Sequence, residues 1–207
     1  MCSEQIVSLI FDGLRSLAIA TASIVGIYGI NSWRKEARWK RKYVLAEEVL
    51  ALVYEAKEDI AMIRNPRSWG GEGRTRKKLE HESQEESEIR DSMYVIVERS
   101  NSVNETFSKL QSLKFRFVAV FDQKNTNLID ELLKIRNKLV ITSYRLADTK
   151  VRNLRGSKIP DQETSRVENY EKIIWTDYDE NDEIEKEVNE TVKSIENICK
   201  SIIKKSI

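Results

Sequence analysis

The chain has 207 residues, and its formal net charge of +1 conceals 35 Lys and Arg against 34 Asp and Glu, a charged fraction of 33%. That exceeds the roughly 25% of an ordinary globular protein and suits long solvated helix faces. Seven glycines and two prolines leave Ile30 to Asn65, Arg74 to Arg155 and Asp161 to Ile207 free of either residue, which argues against turn-rich sandwiches and barrels and against glycine-rich nucleotide folds. Two cysteines, Cys2 and Cys199, and a single histidine cannot build a Cys/His zinc site or a disulfide framework. No cofactor or metal is expected.

Ser16 to Trp33 carries no charge, and extension back to Gln5 adds only Asp12 and Arg15. The stretch is just long enough to span a bilayer core, with the span placed at about 14–33. A secretory signal would begin with basic residues, whereas Met1 to Gln5 holds Glu4 and none. Trp33, Arg34, Lys35, Arg38, Trp39, Lys40, Arg41 and Lys42 follow. Indoles favour the membrane interface, and the positive-inside rule makes this basic collar cytoplasmic, with a short N-terminus on the far side. The expected location is the cell inner membrane, crossed once. The competing reading is an amphipathic or buried helix docked on the remainder, because Ala, Ser, Thr and Gly keep the stretch only mildly hydrophobic. Small residues recur at Ser16 and Ala20, at Ala18, Ala22 and Gly26, and at Thr21 and Gly29. Such steps let helices approach closely in lipid, so a homo-oligomer is expected.

Beyond the collar, Leu45, Val49, Leu52, Ala56, Ile60 and Ile63 step by three or four and predict a helix continuous with the span, ended by Asn65 and Pro66. A second helix is expected from about Thr75 to Phe121. It starts with an acidic portion and carries Ile89, Met93, Ile96, Val103, Phe107, Leu110 and Phe117 at near-heptad steps, interrupted by Ser100 and Lys114. Asp122 to Asn127 reads as a polar break. Leu128, Leu132, Ile135, Leu139 and Leu146 predict a third helix, and Asn153 to Glu163 a loop. Val167, Tyr170, Ile173 and Ile174 predict a short helix before the acidic Asp177 to Glu183. Ile184, Val188, Val192, Ile195, Ile198 and Ile202 predict the last one. The expectation is all-α: an N-terminal transmembrane helix continuing into a cytoplasmic antiparallel bundle of long helices, with residues 1–33 as anchor and 34–207 as helical domain.

Charge is blocked along the chain. Arg34 to Lys42, Arg64 to Lys78 and Lys134 to Lys158 are basic, while Glu80 to Asp91 and Asp177 to Glu190 are acidic. The first block suits anionic lipid. The later ones could hold RNA phosphates, but complementation between neighbouring helices is the preferred reading.

Pro66 to Arg74 is the most distinctive local string. It lacks the Lys-Ser/Thr ending of a phosphate loop. Arg67, Gly70, Gly71, Gly73 and Arg74 could cradle an anion with glycine amides and guanidinium groups. A sharp interhelical corner with Trp69 as plug is the simpler expectation.

Arg76 and His81 are spaced R-x4-H. This resembles the active-site motif of the HEPN helical ribonucleases, a resemblance that implies His as acid or base and Arg as stabiliser of phosphate charge in RNA cleavage. A solvated His81 is the competing reading. Arg136 and Asn137 are similar to the motif's start, but Thr142 stands near where a histidine would be needed. One span, a basic collar and a degenerate HEPN-like helical domain together resemble the membrane accessory proteins of RNA-targeting CRISPR systems. The string from Trp33 through Ala46, Glu47, Glu48, Leu50 and Tyr54 to Arg64, Pro66 and Gly71 to Arg74 is similar to a block in bacterial membrane proteins. The resemblance implies prokaryotic membrane-linked antiviral defence, and it carries over no catalytic residue. The expected function is that of a membrane-perturbing effector or scaffold contacting membrane lipids. The alternative is a membrane-tethered ribonuclease using Arg76 and His81.

Overall fold

The computed structural model describes residues 2–121, 126–156, 161–176 and 181–204. Among them are six helices and no strand: α1 (Cys2–Ile63), α2 (Gln84–Ser102), α3 (Asn104–Phe121), α4 (Thr126–Leu154), α5 (Asp161–Ile174) and α6 (Glu183–Ile203). The chain divides into two compact units, Met1–Val44 and Leu45–Ile207.

The first unit is helix throughout its described residues, as a stretch without proline permits. Its apolar side chains lie bare: Leu17 is 63% exposed, Val25 69% and Tyr28 74%, with Leu14, Ile19, Ile24, Ile27 and Ile30 also exposed. The second unit buries its apolar stripes. Leu45, Val49, Val53, Ala56, Ile60 and Ile63 of α1 join one core with Phe107, Leu110 and Phe117 of α3 and with Ile184, Val188 and Ile195 of α6. Val53 is buried and Leu52 only half-buried, a one-residue rotation of the expected stripe. Helix α4 packs against α2, α3, α5 and α6. Its Ile129, Leu132, Ile135, Leu139 and Leu146 are buried, while Leu128 is half-buried.

The helix expected from Thr75 to Phe121 is corrected to two, and its first turns are not helical. Helix α2 starts at Gln84 because Ser83 caps it: the Ser83 hydroxyl accepts from the Glu86 amide at 3.2 Å, and the Glu86 carboxylate accepts from the Ser83 amide at 3.4 Å. The preceding residues are held by side chains instead, with the Thr75 amide donating to Glu98 at 2.9 Å and Arg76 bound to Glu82. Val103, itself packed against the core, then interrupts the helix between α2 and α3. The last α2 carbonyls find side-chain donors there: Arg99 O accepts from the Ser102 hydroxyl at 2.8 Å, and Ser100 O from Arg136 at 2.8 Å.

Helix α4 runs on to Leu154, two residues into the loop expected from Asn153. It ends on Gly156, whose φ of +81° and amide bond to Asn153 O at 3.1 Å form a left-handed C-terminal stop. Helix α5 begins at Asp161, inside the expected loop, and residues 157–160 lie outside the described residues. Most of the expected breaks at Asp122 to Asn127 and Asp177 to Glu183 also fall outside them.

Candidate functional site

In the first unit the residues expected to form the span and collar occupy one continuous helix. Within Gly13–Ile63 an 18-residue stretch reaches a mean hydropathy of 1.4 with none of it buried, which makes this helix long and apolar enough to cross a membrane. Its polar side chains are satisfied from within. The Thr21 hydroxyl donates to Leu17 O and Ala18 O, both at 2.9 Å, and the Ser23 hydroxyl to Ile19 O at 2.8 Å. Where no water is present, a hydroxyl needs such a carbonyl. Ala18, Ala22, Gly26 and Gly29 are exposed, and a Cβ added to either glycine would meet nothing within 4 Å. Trp33 is 67% exposed, whereas Trp39 stacks on Tyr43 with ring centroids 5.2 Å apart. Arg34, Lys35, Arg38, Lys40, Arg41 and Lys42 are all exposed, and Arg38 Nε bonds the Arg34 carbonyl at 3.2 Å.

In the second unit the glycine-rich string is filled by the chain's own carboxylates. Glu72 accepts from the Trp69 amide at 3.0 Å and takes Arg99 in a two-pronged pair at 3.1 and 2.7 Å. Glu98 accepts from the Gly73 amide at 2.6 Å, from the Thr75 amide and from the Thr75 hydroxyl. The Arg99 hydrogen bond, with the Trp69 amide and the guanidinium charge, lowers the Glu72 carboxyl from its ordinary value against the opposing effect of burial. For Glu98, burial pushes upward, but the Thr75 hydroxyl and the Gly73 and Thr75 amides outweigh it and the net direction is down. The Gly73 amide, a candidate for an external anion, is thus spent internally, as is the Thr75 amide beside it. Arg67 and Arg74 are exposed, and Arg67 contributes its carbonyl to Arg99 at 2.6 Å. Trp69 is 80% exposed, so it does not plug the corner. Gly73 fixes the corner instead. Its φ is +82°, and a Cβ there would lie 1.8 Å from the Asp91 carbonyl oxygen, so only glycine lets this loop lie against α2.

Arg76 is engaged likewise. Its guanidinium meets Glu82 at 2.6 and 3.1 Å, Asp91 at 3.0 Å and the Lys77 carbonyl at 3.2 Å. The Arg76 hydrogen bond is the main reason the Glu82 carboxyl titrates below its ordinary value. His81 is exposed in the turn before α2. Arg136 caps α2 from α4 and lies over the Phe107 ring at 4.9 Å, while Thr142 is buried.

Two arginines missed by the sequence reading organise this unit. Arg64, 3% exposed, follows the last residue of α1. It donates to Ile173 O, Lys172 O and Trp175 O at the end of α5, at 3.0, 2.9 and 2.9 Å, and to Asp182 at 3.0 Å. Asp182 in turn caps α6 by accepting from the Glu185 amide at 3.0 Å. One guanidinium therefore ties the ends of α1 and α5 to the start of α6. Arg99 does the same for the end of α1, donating to Met62 O, Asn65 O and Arg67 O. Their sequence signal was an arginine directly after one apolar stripe and another inside the next, where a solvated charge would not be placed. Compared with family models, with curated proteins and with solved structures, the chain matches none.

Proposed function

We propose that the protein is anchored in the inner membrane by α1, with the collar and an antiparallel bundle of the later helices on the cytoplasmic side, and that it acts there as a homo-oligomeric membrane-perturbing effector or scaffold. The observation that carries this reading is the uncovered apolar surface of α1 from Leu14 to Ile30. In water such a row is costly at about 25 cal/mol per Å² of apolar surface, and a lipid core removes that cost. Thr21 and Ser23 are already hydrogen-bonded for such a solvent, and the collar supplies the basic flank that sets orientation. The setting that the resemblance suggests is prokaryotic antiviral defence.

The second reading, a ribonuclease using Arg76 and His81, would require Arg76 to leave Glu82 and Asp91 for a phosphate. Its present partners support the non-enzymatic reading.

The test is assembly in native membranes. Ala22 and Gly26 are one turn apart with open space around them. Replacing both by Leu makes the helix more apolar, so membrane retention should be unchanged, while cross-linked oligomer size should fall because bulky side chains hold backbones apart. An unchanged oligomer would move assembly to the later helices and leave the span as a tether.

A further inference from the structure

Two clefts in the second unit share a wall at Arg90. The first, about 290 Å³, lies between α2 and α4 and is mainly apolar, with Met93, Val97 and Ala147 beside Tyr94 and Tyr144. The two tyrosine rings meet edge to face at 6.4 Å. The second, about 490 Å³, is framed by Arg145 and Arg152 of α4 and Arg166 of α5, with Tyr170 at its side. Its one lining carboxylate, Asp148, is taken by Arg90 at 2.7 Å. Arg155 at the rim is held by Glu86 at 2.5 and 2.9 Å.

Complementation accounts for much of the basic block from Lys134 to Lys158. Lys138 pairs with Glu187 at 3.3 Å, Lys150 with Glu171 at 2.6 Å, and Arg155 with Glu86. It does not account for Arg145, Arg152 and Arg166. All three are exposed, face one cleft and have no carboxylate partner among the described residues. Like charges gathered this way repel one another, and a bound polyanion relieves the repulsion. Arg90, where the clefts join, adds a spare donor: its Nε is buried and finds no acceptor among the described residues. Buried donors are almost always paired, so an unpaired one beside three guanidinium groups without a carboxylate, of which Arg152 reaches only the Thr149 hydroxyl at 3.4 Å, points to a ligand.

We propose that the paired clefts bind a phosphorylated nucleoside, with the base on Tyr94 and Tyr144 and the phosphates on Arg145, Arg152 and Arg166. Guanidinium groups match phosphate oxygens in two-pronged fashion, and an aromatic wall gives a planar base a stacking surface. The two volumes are of the size that small-ligand sites occupy. This site is separate from the glycine-rich string, and it does not depend on the membrane reading.

The experiment is equilibrium binding to the full-length protein in phosphatidylcholine nanodiscs, with ATP, adenosine, pyrophosphate and short-chain phosphatidic acid as probes. ATP should bind with an affinity that weakens as salt rises. Pyrophosphate should bind more weakly and adenosine more weakly still. Tyr144→Ala should reduce ATP affinity by about tenfold and leave pyrophosphate binding unchanged. The Arg145→Gln, Arg152→Gln, Arg166→Gln triple variant should lose tenfold or more for both. Its thermal melt reports whether it is folded, and the single variant Arg145→Gln, with an exposed side chain, repeats the test if it is not. No ATP binding at millimolar concentration, equal affinity for ATP and pyrophosphate, or indifference to the arginine changes would overturn the proposal. Phosphatidic acid binding without ATP binding would overturn it in favour of a lipid site.

Discussion

Arg64 shows how much one side chain can hold. With 3% exposure, it satisfies three carbonyls at the end of α5 and faces the α6 cap, Asp182. Arg64→Ala would leave Asp182 buried without its counter-charge, and breaking such a pair costs about 3–5 kcal/mol. Denaturant unfolding should read that loss. Gly73 and Gly71 offer a paired comparison, since both have positive φ, +82° and +104°, but only Gly73 abuts a carbonyl. Gly71→Ala should cost about 1–3 kcal/mol from backbone strain alone, and Gly73→Ala should cost more because the Asp91 backbone must move. Equal losses in a melt of the two variants would show that the contact with α2 carries no weight.

The same residues set the response to acid. Glu72, Glu82 and Glu86 are held below their ordinary value of 4.5, each chiefly by a hydrogen bond from its arginine partner. Asp182 is also held below its ordinary 3.8: burial pushes it up, and Arg64 with the Glu185 and Ile184 amides outweighs that. The unfolded chain therefore takes up protons before the folded one. The stability these groups contribute is complete above their ordinary values and is lost as pH falls through the lower folded values. Melting temperature should be flat near neutrality and drop below about pH 4.5, and Glu82→Gln should lower it at neutral pH while making the acid drop shallower.

At the scale of elements, periodicity exposed what is apolar and missed what is capped. The α4 and α6 stripes were legible because their apolar residues recur every three or four positions. The start of α2 was misplaced because Glu80 to Glu88 reads as helix-forming, although Ser83 with Glu86 is a sequence-visible capping box. Ser83→Ala should lower stability by about 1 kcal/mol, and loss of helical signal confined to the start of α2 is the expected readout by hydrogen exchange. Ser100 and Lys114, which looked like flaws in a long stripe, have partners on α4. Ser100 accepts from Arg136 at 2.9 Å, and Lys114 pairs with Asp130 at 2.7 Å. Such partners come from distant positions, so one-dimensional spacing could not supply them. The glycine string was legible as a corner but not as one filled by Glu72 and Glu98, because nothing local marks a carboxylate as an internal anion.

At the scale of the whole molecule, the two units bury their apolar residues differently. Leu45 to Ile203 supplies a closed core, while Leu14 to Ile30 supplies a bare row. If the collar faces the cytoplasm, protease added from that side should cut at 66–74, where Trp69 and the neighbouring glycines are exposed. Protection of that segment in permeabilised cells would reverse the orientation. The most direct measurement is extraction of membranes holding the full-length protein with alkaline carbonate. A helix crossing the bilayer at about 14–33 keeps the protein in the membrane pellet. Release of the intact chain into the soluble fraction would contradict the span and, with it, the proposed function.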